Sequence, residues 1–438
     1  MDKNEIKSRL CTVVDSLREE IEAYSDDIAQ NAELGFFETR TSGILAGELE
    51  KLGLNVTKNI ALTGIRADIS SGKEGPKIGV IGELDGIICR NHPYANPDTG
   101  ATHTCGHNLQ TATILTVAKA LAKTGLMSEL SGTVSILGTP AEEFIEITQR
   151  KQMHDEGKIV YLCGKPEFIR LGAIDDIDMS MMVHAGENAP NANITIPDSG
   201  NGFRVFMLQF KGKQAHAAAA PEKGINALYA AVCGINAVNA LRETFRDEDK
   251  VRVHYIFTKG GDSVNSVPDD IRIEGYVRAV SAEVIDEIFD KVMKAFKAGA
   301  ASIGAECFVT SIPGDMPLKP SLKLNDLFAE NSVALIGEEN VKRHTIFAAS
   351  TDMGDIMHIM PAVHAFGGGV TGALHSSDFK VLDFNSAVLI PAKSILTTIV
   401  DLLFDNAQQA KDIIETFEPV YTKEEYVAAM NARFFSEI

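Results

Sequence analysis

The chain has 438 residues, 45% hydrophobic and 23% charged: an ordinary globular balance, but too long for one core, so two domains are expected. A formal charge of −19 excludes the basic face that nucleic acid or an anionic membrane would require of a partner. No stretch reads as the ~18–20 apolar residues of a membrane helix, and the charged start Met1-Asp2-Lys3-Asn4-Glu5 lacks a signal-peptide core.

Six cysteines scattered without a framework spacing point to a reducing, cytoplasmic setting. In chain order, an amphipathic helix is predicted over 5–30, a turn at Asn31-Ala32-Glu33-Leu34-Gly35-Phe36, and a helix from Ser42 to Leu52 stopped by Gly53. Apolar runs at 63–69 and 77–84 follow, the second ending in Gly82-Glu83-Leu84-Asp85. Next come Thr104-Cys105-Gly106-His107-Asn108, a helix over 109–123, and a strand from Thr133 to Leu137 running into Pro140-Ala141-Glu142-Glu143. Residues 146–163 are mixed. Ile177 to Val183 is another apolar run, ending in His184.

From about Gly202 the rhythm changes to β-α-β-β-α-β over about 110 residues, a ferredoxin-like layer of four strands. After Pro313 and Pro317 the α/β pattern resumes, with a helix at 325–336, an apolar run from Met360 to Phe366 and a helix from about Asn385 to Phe404. The expected fold is therefore an α/β domain over 1–198 and 314–438, with a ferredoxin-like α+β domain inserted at 199–313.

Polar residues gather at the predicted strand ends of the outer domain: Asp85, Cys105 with His107, Glu142 with Glu143, His184, and His375 in Ala373-Leu374-His375-Ser376-Ser377-Asp378. A thiolate, imidazoles and a carboxylate are the donor set of a zinc-like ion, and Gly106 lets Cys105 and His107 point one way. The helix N-terminus beside Cys105 favours its thiolate. Of two adjacent carboxylates one can bind metal while the other faces substrate as general base. Gly367-Gly368-Gly369-Val370-Thr371-Gly372 satisfies a dinucleotide spacing, but a histidine-bearing loop follows it rather than a helix. No Gly-x-Ser-x-Gly elbow exists.

These motifs, together with Gly212-Lys213-Gln214-Ala215-His216-Ala217, Asn265-Ser266-Val267-Pro268 and Ser350-Thr351-Asp352-Met353-Gly354-Asp355, resemble in order and spacing the aminoacylase, carboxypeptidase and amidohydrolase family of two-metal enzymes. The Cys-Gly-His branch matches best, that of indole-acetyl-amino-acid and p-aminobenzoyl-glutamate hydrolases. The resemblance implies two divalent ions per subunit, zinc or manganese, on Cys105, His107, Glu143, His184 and His375, with Cys105 bridging. It makes Glu142 the general base and Asp85 the carboxylate orienting His107. The inserted domain becomes a lid and homodimer interface, from which His216 reaches the dimer partner's site to stabilise an oxyanion. Asn265 and Arg278 would hold the substrate's carboxylate or carbonyl.

The implied activity is hydrolysis of an N-acyl amino acid or dipeptide with a free carboxylate, p-aminobenzoyl-glutamate and β-alanyl dipeptides being candidates. The alternative is a metal-binding homologue without catalysis, against which the presence of Glu142 counts. Two departures from the family are visible: Phe144-Ile145-Glu146 after Glu143, and an excess of residues near 146–163.

Overall fold

The structure is a computed structural model and describes residues 1–187, 189–191 and 193–437; the final residue of the predicted outer domain, 438, lies outside them. The chain forms two compact units. One comprises Met1–Ser199, Lys319–Ile346 and Asp355–Lys423; the other comprises Gly200–Leu318, Phe347–Gly354 and the residues from Glu424 onward. The inserted span thus closes at 318 rather than 313, and two later pieces of chain join it.

In the first unit, runs such as Ile78-Gly79-Val80-Ile81 are buried on both faces, which suits central strands of a parallel sheet. Four such strands lie side by side and parallel, in the order Thr133–Thr139, Lys77–Glu83, Met179–Ala185, Ala362–Gly367. Register puts Glu83 opposite Thr139 and Gly367 opposite Ala185, so all four carboxyl ends open along one edge. Outside Thr133–Thr139 run Gly64–Ser70 and Val56–Ile60, antiparallel; beyond Ala362–Gly367 lie Ile194–Gly200 and Val341–Phe347, completing eight strands.

The predicted helix over 5–30 is in fact two, Lys3–Ser16 and Arg18–Gln30, which meet at the buried Leu17. The helix His107–Thr124 is buried along almost its whole length and stopped by Gly125 at φ 64°. A second apolar stretch, Asn385–Leu403, has the length and mean hydropathy (1.6) to cross a membrane, contrary to the sequence-based expectation that none would. It is 89% buried within the protein, so its apolarity serves the core. Residues 146–163 contain a helix, Ile147–Asp155, and lead into a second, Gly164–Leu171.

The second unit follows the predicted β-α-β-β-α-β order: Gly202–Lys211, Ala227–Leu241, Arg252–Lys259, Asp270–Ala279, Ala282–Ala301, Glu306–Pro313. Its sheet is antiparallel, with Asp270–Ala279 and Gly202–Lys211 central. The expected four strands become five, because Phe435–Ser436 pairs with Glu306–Pro313. Two residues carry no period for a sequence reading to find. The helices meet backbone to backbone: a Cβ on Gly299 would lie 2.2 Å from the Gly234 nitrogen. Phe206, Phe210, Phe289 and Phe296 fill the space between helices and sheet. At the sheet edge, Arg252–Lys259 leaves Ile256 and Phe257 64% and 41% exposed.

Candidate metal centre

Cys105 and His107 are brought together by one glycine. Gly106 sits at φ 83°, and a Cβ there would meet the Ala185 Cβ at 2.6 Å, so both conformation and space demand glycine. His107 is the first residue of its helix. Its Nδ1 faces the Asp85 carbonyl oxygen at 2.8 Å and Asp85 Oδ1 at 3.2 Å. Both are acceptors, so Nδ1 carries a ring proton and Nε2 is the nitrogen left to ligate a cation. His184, at the end of its strand, donates from Nδ1 to the Ala185 carbonyl oxygen at 2.7 Å, leaving Nε2 3.4 Å from Cys105 Sγ.

Beyond Thr139 the chain turns sharply. Ala141 takes φ 51°, held by its N–H donating to Glu38 Oε1 at 2.8 Å, a strained conformation of the kind found at functional sites. Glu142 and Glu143 then diverge. The Glu143 N–H donates to Asp85 Oδ2 at 3.0 Å, and Glu143 Oε1 lies 3.0 Å from His375 Nε2. Glu142 Oε2 lies on the other side, 3.8 Å from His107 Nε2. His375 Nε2 is 3.2 Å from Cys105 Sγ, and the His375 N–H donates to the Thr104 carbonyl oxygen at 2.9 Å. The fold therefore gathers Asp85, Cys105, His107, Glu142, Glu143, His184 and His375 in one place.

Two groups of donors result, Cys105–His107–His184 and Cys105–Glu143–His375, each with its ligand atoms within 4.8 Å of one another. They share one sulfur. A third group, Glu83–His107–Glu142, overlaps the first at His107.

Burial, reinforced by Glu143 and Glu142, pushes the Cys105 thiol well up. This outweighs the helix N-terminus, which the sequence had suggested would favour the thiolate, so a thiolate here requires positive charge nearby. Burial works against charge on His107 too, yet Glu83 and Asp85 push it up to about 9, whereas burial takes His184 down to about 4. His107 Nε2 is buried without a hydrogen-bond partner, 3.1 Å from Glu83 Oε2; Glu143 Oε1 is likewise buried without a hydrogen bond. A buried imidazole nitrogen and a buried carboxylate oxygen left without hydrogen bonds, beside a sulfur and two further imidazoles, are the donor set of divalent cations, so the residues fit a two-metal centre.

Sequence reading passed over several residues that complete the site. Glu83 is two positions before Asp85, and the two-residue period of a strand is the signal that could have flagged it. Lys165, fully buried, donates to Glu83 Oε1 at 2.5 Å, and Gln110 Nε2 donates to Glu83 Oε2 at 2.6 Å. Arg150, from the helix in the extra segment, is buried over the Phe36 ring and donates to the Leu162 carbonyl oxygen at 2.8 Å. A Cβ on Gly35 would lie 2.8 Å from the Ala141 Cα, a backbone contact that accounts for the glycine in Ala32-Glu33-Leu34-Gly35. Glu33 in that motif accepts from the N–H groups of Arg40 and Thr41 and so caps the helix Thr39–Lys51.

His216, Asn265 and Arg278 belong to the second unit. The loops of His216 and Asn265 are knitted together: the Ala217 N–H donates to the Asn265 carbonyl oxygen at 3.0 Å, and His216 bridges to Ser266. His216 is exposed, and its Nδ1 accepts from the N–H groups of Ala218 and Ala219, which puts its ring proton on Nε2. Arg278 packs over Phe203 and Tyr276 and donates to Ser350 Oγ at 2.7 Å.

Comparison with known proteins agrees with this architecture. Residues 201–303 match the model of the peptidase dimerisation domain. The chain is 28% identical to the Xaa-Arg dipeptidase of Mus musculus over 426 residues, covering 92% of this chain and 90% of that one. It is 26% identical to the hippurate hydrolase of Campylobacter jejuni, covering 86% and 95%. Among solved structures, a dinuclear metal-binding peptidase of the M20 family from Bacillus subtilis superposes with a TM-score of 0.68 at 20% identity, covering 89% of this chain and 99% of that one. The fold is therefore that of the M20 peptidases, with a peptidase dimerisation domain inserted, and the family resemblance read from the motifs holds.

Proposed function

We propose that this protein is a metal-dependent hydrolase that cleaves the amide bond of N-acyl amino acids or dipeptides bearing a free carboxylate. The observation that carries it is the pair of donor groups sharing Cys105, with Glu142 beside them. Relatives named as dipeptidase, hippurate hydrolase and p-aminobenzoyl-glutamate hydrolase support the same class. Cys105, His107 and His184 would hold one ion and Cys105, Glu143 and His375 the other. The sulfur and imidazoles favour zinc, and the carboxylate admits manganese. Bound there, two divalent ions would supply an acidified water and a polarised amide carbonyl.

The chain's own residues do the rest. Asp85 holds the His107 ring through Nδ1 and the Glu143 backbone through its other oxygen, so one carboxylate orients a ligand of each group. Glu142 takes the proton of the attacking water and delivers it to the departing amine. His216, with its proton on Nε2, is the donor for the tetrahedral oxyanion, supplied to a neighbouring subunit's site in a homodimer. Arg278 and Asn265 anchor the substrate's carboxylate.

The exposed apolar edge of the second unit, Ile256 and Phe257, supports dimerisation there. Sedimentation at micromolar concentration is expected to give a dimer; a strict monomer would remove both the interface and the cross-subunit role of His216. The six cysteines, none of them in a disulfide among the described residues, suit a cytoplasmic setting. The substrate class is tested by a panel of N-acyl amino acids and dipeptides, each beside its C-terminal amide, with zinc or manganese supplied. The free acids are expected to be cleaved and the amides far more slowly. Equal rates would show that no carboxylate anchor operates, and no cleavage of either set would leave a metal-binding protein without this activity.

A further inference from the structure

His107 Nε2 belongs to two of the three donor groups and cannot serve both. If it turned to Glu83 and Glu142, the general base would become a ligand. What distinguishes the groups is Lys165. Its helix, Gly164–Leu171, starts hard against the turn that carries Glu142: a Cβ on Gly164 would lie 1.8 Å from the Pro140 carbonyl oxygen. That contact fixes Lys165 at the second position of the helix, with its ammonium fully buried against Glu83 Oε1 at 2.5 Å. Gln110, one turn along the helix from His107, occupies Glu83 Oε2 at 2.6 Å. Both oxygens of Glu83 are thereby engaged by protein donors. Burial works against the Glu83 carboxylate, but Lys165, then His107 and His184, hold it below the usual carboxylate range.

We propose that Lys165 is a positioning residue that holds Glu83 as a wall of the metal centre and off the metal, so that His107 serves the group with Cys105 and His184 while Glu142 stays available as base. This rests on the metal centre proposed above. It reverses the usual expectation for a residue behind a ligand, whose loss lowers metal affinity or activity about 10–100-fold. Removing Lys165 takes a positive charge away from the cations and releases a carboxylate to bind one of them.

The test is chelator competition for zinc, with turnover, on the wild type, Lys165→Met and the neutral double variant Glu83→Gln/Lys165→Met. Lys165→Met is expected to bind zinc at least as tightly as wild type while turnover falls by roughly tenfold or more. The double variant is expected to return both toward wild type, because a neutral amide neither needs the ammonium nor competes for the ion. If Lys165→Met loses zinc together with turnover, or a folded double variant stays as impaired as the single, the proposal is overturned. Should Lys165→Met fail to fold, the double variant alone decides: zinc binding and turnover near wild type support the wall, loss of either sinks it. A wild type that binds no zinc would instead overturn the metal centre itself.

Discussion

Glu142→Gln should leave the protein folded and loaded with metal while lowering turnover by roughly 10²–10⁴-fold, the range a general base contributes. The side chain keeps its volume and loses only the ability to accept a proton. Glu142 belongs to neither group that shares Cys105, so metal content should not change. Turnover against a free-acid substrate, measured beside metal content, checks this. A variant within tenfold of wild type would show that another group takes the proton.

The second large effect is Cys105→Ala. Its sulfur lies 3.4 Å from His184 Nε2 and 3.2 Å from His375 Nε2, and it is the only atom common to the two groups. Its removal should empty both, whereas His375→Ala should empty only the group it shares with Glu143. Metal analysis of purified protein should therefore find no ion retained in the first variant and one in the second. If Cys105→Ala kept both ions, the sulfur would not be a shared ligand, and the division of the donors into two groups would have to be redrawn.

Asp85, Glu142, Glu143 and His184 were legible in the sequence because they stand at or just past the ends of apolar runs, and parallel strands put such ends on one edge; Cys105, His107 and His375 were legible from their motifs. Glu83 stood in the same motif but reads as one more strand residue. Lys165 was invisible for a different reason. Lysine is almost never fully buried, so a lysine in a mixed segment is read as surface, and its partner lies 82 residues away in sequence. Arg150 hid in the same segment in the same way. In the second unit the six main elements followed from alternation and amphipathic periodicity. The fifth strand and the later pieces of chain that join that unit are too short to carry either signal.

His375 is tied by its backbone to Thr104, and the strand that precedes it, Ala362–Gly367, pairs with the strand that carries His184. The centre therefore has an order of arrival during synthesis. Cys105, His107 and His184 leave the ribosome early. At 5–20 residues per second, His375 follows Cys105 by roughly 14–54 s, and the six main elements of the second unit are made in between. Until then, the strand carrying His184 lacks the neighbour on its outer side, and the shared sulfur lacks one of its four companions. The nascent chain must keep a buried-type cysteine and several unpaired carboxylates in solution for that interval. The group with Glu143 and His375 is complete only once His375 has been made, so an ion held there would enter after the group with His107 and His184 is already available.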